Sequence, residues 1–239
     1  MNDVNEKSFF PEPEDLRGDR VELIELWDEL IEGIRDHNIA RFLEYFIING
    51  THEMFRKFFT SPAARSENPG HHAFKGGLAY HTLNAAKLAG QIADHYNALH
   101  IKVNRDMVIA GVILHDIGKV DCYKWEEGRI QGEIFIPAGY THTEIGKSFH
   151  HIPHGFQLFM AAAKDFNEVA TKLNGKHVLT EKKIRLLGHI ILSHHGRRSW
   201  SSPVVPNNIE AYIVHLVEMG DAMVDKYNKG EDVRDIYDH

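Results

Sequence analysis

A single cysteine, Cys122, stands among 239 residues, so no internal disulfide framework can form and a reducing cytoplasm is the expected compartment. No apolar run reaches the roughly 20 residues that a bilayer crossing needs, and no membrane association is expected. The opening stretch MNDVNEKSFFPEPEDLRGDR lacks the charged-then-apolar layout of a secretion signal. Basic charge is in deficit: 27 Lys and Arg against 34 Asp and Glu give a net charge of −7, which argues against a broadly basic nucleic-acid-binding surface. Alternation of strand and helix is also missing, which excludes Rossmann and barrel folds. There is no internal repeat and no low-complexity segment.

What is present reads as an all-α protein. Hydrophobic residues make up 43% and charged residues 26%, a balance that supports a packed core rather than disorder. Residues 1–18, with Pro11, Pro13 and Gly18, form a loose leader. From Asp19 the run VELIELWDELIEGI places Val21, Leu23, Ile24, Trp27, Leu30, Ile31 and Ile34 largely on one face, at helical spacing. IARFLEYFII and HEMFRKFFTS read as two more helices, whose Phe42, Phe46, Met54, Phe55, Phe58 and Phe59 are assigned to the core rather than to a ligand pocket. These N-terminal helices, 19–65, should pack on a main domain spanning 66–230, with a polar tail over 231–239.

Within the main domain, helices are expected over 78–96 (Leu83, Ala86, Leu88 and Ile92 inward), 105–115, 143–149, 154–173, 181–195 and 208–228. The stretch around 123–140 looks extended, and Gly128 and Gly132 suggest a short hairpin.

Histidine is the residue in excess, with 18 copies, and neutral imidazole is a leading transition-metal ligand. The central motif is GVILHDIGKV. His115 and Asp116 end an apolar helix, and adjacent helical side chains diverge by about 100°, so both can face one ion only at a helix end or kink. Ile117-Gly118 supplies that break. A buried His-Asp pair is costly unless paired or bound to a cation. His81, His142, His194, His195 and Asp221 lie at helix-sized intervals, each next to an apolar segment. Helix bundles build metal sites from such inward-pointing side chains.

The order His81, His115-Asp116, His142, His194-His195, Asp221 resembles the HD-domain superfamily of metal-dependent phosphohydrolases. The segments HHAFKGGLAYHT, LHDIGK, THTEIG, LSHHG and SPVVPNNIEAYIVHLVEMGDA are similar to the HD domain of a bacterial 3′→5′ exoribonuclease family, over roughly residues 38–228. The resemblance implies an HD-type helical bundle that hydrolyses phosphate esters with one or two divalent ions. It implies that His81, His115, Asp116 and Asp221 hold the first ion. His142 and His194 would then form a second site, with His195 a further ligand or an orienting group.

The donor set suits Mn, Fe, Ni, Co or Zn, and such an ion polarises the phosphoryl oxygen and acidifies water. Asp116 and Lys119 are the catalytic candidates, and Lys119, His72 and Arg197 the substrate-binding ones. His150, His151 and His154 are expected to be loop or helix-start residues. Those exoribonucleases carry an oligonucleotide-binding barrel ahead of the HD domain, and no β-rich segment here could be one. The expected substrate is therefore a nucleotide, a small phosphate ester or a short single-stranded RNA or DNA. Two other readings stay open: a regulatory module that binds a nucleotide without turnover, and an accessory protein of nucleic-acid processing.

Overall fold

The central helix is α5 (Arg105–His115), and its composition explains why: every residue from Asp106 to His115 is buried, so no side is left for solvent. It begins where the Asn104 side chain accepts from the Met107 amide at 3.2 Å, with Asp106 in the first turn, at the positive end of the helix dipole. Around it pack α4 (Gly77–Ala98), α9 (Glu181–Ser193) and α10 (Ile209–Asn228). Gly111 sets how closely they approach. A β-carbon there would lie 2.8 Å from Cδ1 of Ile190 on α9 and 3.4 Å from Cγ2 of Val214 on α10. Thr180 and Asn208 cap the last two helices, accepting from the amides of Lys183 and Ala211.

The structure, a computed structural model, describes residues 17–49, 52–66, 70–132, 134–176 and 178–230. The leader and tail expected at the two ends lie outside the described residues, except that Arg17 and Gly18 already belong to α1 (Arg17–Glu32). α2 (His37–Leu43) runs on into a wider π-helical segment, Glu44–Asn49, and α3 (His52–Thr60) follows. The aromatic stripe is core: Phe42, Phe46, Phe58 and Phe59 are buried, with Met54 and Phe55 packed against them. Trp27 of α1 meets Phe58 edge-on at 6.1 Å. Leu88 is a correction. It is 46% exposed, because the buried face of α4 runs through Ala79, Leu83, Ala86, Ala89 and Ala93. Val21 of α1 is exposed as well, at 56%, whereas Leu23, Trp27, Leu30, Ile31 and Ile34 are buried.

After α5 the chain turns into α6 (Lys119–Cys122) and then a nested antiparallel hairpin. β1 (Tyr123–Glu126) pairs with β4 (Gly139–His142), and β2 (Arg129–Gln131) with β3 (Ile134–Ile136). α7 (Glu144–Ser148) leads to the long α8 (His151–Asn174). α8 starts three residues before the predicted 154, because Pro153 falls in its first turn, where no intrahelical amide bond is lost. The result is an all-α bundle with one hairpin, and among the described residues no helix is long and apolar enough to cross a membrane.

Candidate metal centre

α5 stops at His115, and Asp116 already lies in the turn that leads to α6, so the two side chains are freed from the divergence of a continuing helix. That turn is pressed against the start of α8. A β-carbon at Gly118 would stand 2.1 Å from the His151 carbonyl oxygen and 2.6 Å from the Gly155 nitrogen, so only glycine fits. The contact brings α8's first residue to the buried Asp116: His151 Nε2 is 3.2 Å from Asp116 Oδ1. His194, at the end of α9, places its Nε2 3.5 Å from the same oxygen. The other oxygen, Oδ2, faces Nε2 of His115 at 3.3 Å and Nε2 of His81 at 3.8 Å, and pairs with the Lys119 ammonium.

Two groups of donors therefore share one carboxylate. His81, His115, Asp116 and Glu218 are all buried, with one donor atom of each within 4.8 Å of the others. Glu218 Oε2 lies 2.7 Å from His81 Nε2 and 3.0 Å from His115 Nε2. His151, His194 and His195 form the second group, on the Oδ1 side.

The far nitrogen of each ring fixes which nitrogen faces inward. His115 Nδ1 donates to the Val112 carbonyl at 2.5 Å, His194 Nδ1 to that of Ile191 at 2.8 Å, and His195 Nδ1 to that of Trp200 at 2.6 Å. His81 Nδ1 donates to Asp221 Oδ2 at 2.6 Å. Such outer partners hold the proton on Nδ1 and turn Nε2 inward as the atom that would ligate an ion.

Those inward nitrogens call for positive charge, from ring protons or from a metal ion. His81 Nε2 and His115 Nε2 are only 3.3 Å apart and both face carboxylates, an arrangement that is repulsive unless positive charge lies between them. Burial disfavours a charged ring, yet Asp116 and Glu218 outweigh it and push His115 up to about 10; Glu218 and Asp221 push His81 up to about 8. Burial also opposes ionising Asp116 and Glu218, but Lys119 and His115 hold Asp116 well below its usual range, and His81 and His115 do the same for Glu218. On the second side burial prevails. It keeps His151 well below 6.5, lowers His194 and takes His195 down to about 4, so these rings are neutral and ready to ligate. Both oxygens of Asp116 and the Nε2 atoms of His151 and His194 are buried without a hydrogen bond of good angle among the described residues, although ion-pair partners are close. The residues fit one or two divalent ions.

The structure thus brings His81, His115, Asp116, His194 and His195 together. Asp221 meets His81 on the opposite nitrogen and also accepts from His72 Nε2 at 2.8 Å, so that His72, His81 and Asp221 form a third group of donors within 4.8 Å of one another. His72 itself is 6% exposed and faces Asp221 rather than an opening. His142 belongs to neither group; its ring stacks on Tyr123 at 5.2 Å. Lys119 is buried against Asp116, and Arg197 lies over the Trp200 ring, 4.7 Å from its centre. Sequence reasoning missed Glu218 and His151. Glu218 sits one turn before Asp221 on α10, a spacing that puts both on one face and could have nominated it. His151 begins α8, as a helix-start residue was expected to, but it also points at Asp116.

Residues 78–223 match the family model described as HD domain, which is more than half of the chain. The chain belongs to the HD domain family. Curated relatives named 3'-5' exoribonuclease YhaM are similar to this HD domain protein. The Geobacillus sp. (strain WCH70) protein is 32% identical over 225 residues, covering 91% of this chain and 59% of the relative. That of Oceanobacillus iheyensis is 31% identical over 204 residues, 85% of this chain and 54% of the relative. That of Listeria welshimeri is 32% identical over 172 residues, 72% of this chain and 46% of the relative. The chain spans about half the length of the curated relatives it matches. No solved structure matches it.

Proposed function

We propose that this chain is a metal-dependent phosphohydrolase that uses water to cleave a phosphate ester of a nucleotide or short oligonucleotide. The observation that carries this reading is the buried Asp116 carboxylate, set between two groups of imidazoles whose Nε2 atoms converge on it. His81, His115, Asp116 and Glu218 would hold one ion, and Asp116 with His151, His194 and His195 a second. With neutral nitrogen and carboxylate oxygen donors, and no thiolate, the set suits Mn, Fe, Ni, Co or Zn. Ions held there supply Lewis acidity toward a phosphoryl oxygen and acidify water.

The chain's own groups do the rest. Asp116 fixes Lys119, whose buried ammonium keeps its charge against burial because Asp116 and Glu218 face it. That charge is preorganised to stabilise negative charge developing on the phosphate. Arg197, exposed beside Trp200, would attract an anionic ester. His72 and Asp221 orient His81 from behind. In the hydrolysis one P–O bond forms to the water oxygen and the ester P–O bond breaks. The exoribonuclease names of the relatives favour nucleic acid as the substrate class.

The test is release of p-nitrophenol from bis(p-nitrophenyl) phosphate with Mn²⁺ added, comparing Asp116→Ala. Metal-dependent turnover that the variant abolishes supports the reading. If no phosphate ester in a panel is turned over while nucleotides still bind, the chain is a binding module instead.

A further inference from the structure

One cavity opens directly onto the candidate centre. It has a volume of about 300 Å³, and Glu218, His194 and His195 belong to its wall as well as to the donor groups. The rest of the wall holds two more imidazoles, His71 and His215, together with Ala222 and the large surfaces of Trp200, Met219 and Met223, while Lys226 supplies a cation. Spacing along α10 accounts for this. Glu218, Ala222 and Lys226 follow at intervals of four, with Met219 and Met223 beside them, so one helix face carries a donor, two thioethers and an ammonium. Lys226 lies about two turns beyond Glu218.

We infer that this cavity is a nucleobase subsite, in which the base of the nucleotide undergoing cleavage lies against Trp200, Met219 and Met223 while its phosphate reaches the metal ligands. The inference rests on the proposed hydrolase and adds to it what is recognised next to the phosphate. Three observations carry it. The wall beyond the donors offers an indole and two polarisable thioethers, the surface that takes the flat face of a base. The volume lies at the lower end of the roughly 300–1,000 Å³ of small-molecule sites, which admits one nucleoside and not a stacked run of bases. Trp200 is also held in place: the Arg197 guanidinium lies 4.7 Å from its ring centre, and its carbonyl accepts from His195 Nδ1 at 2.6 Å. The residue proposed to meet the base thus also orients a ring of the donor set. In a chain of net charge −7, Arg197 and Lys226 near this cavity give the phosphates of a nucleotide a local positive field.

The test measures binding on the full chain with metal chelated away, using adenosine, AMP and ribose 5-phosphate in isothermal titrations. Adenosine and AMP should bind, and Trp200→Ala should weaken both by about five- to a hundredfold, the range for one base stacked on one aromatic ring. Trp200→Phe should restore most of that affinity. Met223→Ala should weaken adenosine in the same direction, which keeps the test decisive if the alanine variant of Trp200 does not fold. Failure of adenosine to bind, or an equal loss of adenosine and ribose 5-phosphate affinity in Trp200→Ala, would overturn the inference. Base binding without turnover of any ester would sink the hydrolase reading and leave the subsite standing.

Discussion

Replacing Asp221 by asparagine separates two ways of using the same carboxylate. If Asp221 ligates the ion, as the family resemblance implies, Asp221→Asn removes a charged donor and metal binding should collapse. The geometry favours another role. Oδ2 of Asp221 meets Nδ1 of His81 at 2.6 Å, whereas the opposite nitrogen, Nε2, faces Glu218 at 2.7 Å. Asp221 is then the outer partner that fixes the tautomer of His81, and His72 steadies Asp221 from its other side. A hydrogen bond to a charged group contributes about 1.5–3 kcal/mol. At 1.4 kcal/mol per factor of ten, its loss weakens the ion by about 10- to 150-fold, in line with the about 10- to 100-fold cost of removing such an outer partner. Glu218→Gln removes an anionic oxygen from among the donors and should cost more than about a hundredfold. Competition between each variant and a chelating dye for Co²⁺ or Zn²⁺ reads these affinities directly, with thermal melts to confirm folding. Asp221→Asn losing the ion as completely as Glu218→Gln, or binding it like the parent, would refute the assignment.

Three more outcomes follow from the same geometry. In chelated protein at pH 7, His81 (pushed up to about 8) and His115 (up to about 10) carry protons that an ion must displace, so titrations in buffers of different ionisation enthalpy should show net proton release on metal binding. The sign for stability follows: both values exceed the ordinary 6.5, so the contribution of these rings to metal-free stability is complete below about 6.5. It is lost as pH rises through 8 and then 10, and a melting temperature that climbs over that window without metal would contradict it. Cys122 is 1% exposed and burial pushes its thiol up to about 12, so it should react with a disulfide reagent at pH 8 only at the rate of unfolding. Fast labelling of the folded protein would show that site to be open. Gly118→Ala should destabilise the fold by about 1–3 kcal/mol, since its methyl would enter the His151 carbonyl, and should weaken metal binding with it. An unchanged urea midpoint would mean that the turn and α8 are not in contact.

The bundle could be read from the sequence wherever local chemistry and burial agree. Asn104, Thr180 and Asn208 mark helix starts because each supplies an oxygen to an otherwise unpaired amide, and the apolar run before His115 could only be interior. The His115-Asp116 pair could be read for a related reason: adjacent residues converge only where a helix ends, and Gly118 announced the end. The choice between near neighbours could not be read. Glu218 and Asp221 are one turn apart on one face, and which meets the inward nitrogen of His81 depends on how α10 crosses α4, a tertiary quantity that leaves no trace in spacing. His142 ends the hairpin and His151 follows it, and the closeness of Gly118 to the His151 carbonyl, a contact between segments over thirty residues apart, is what brings His151 to Asp116. Residue type nominates a ligand. Which of its nitrogens looks inward is decided by the group behind it, as the carbonyls of Val112, Ile191 and Trp200 decide it for His115, His194 and His195.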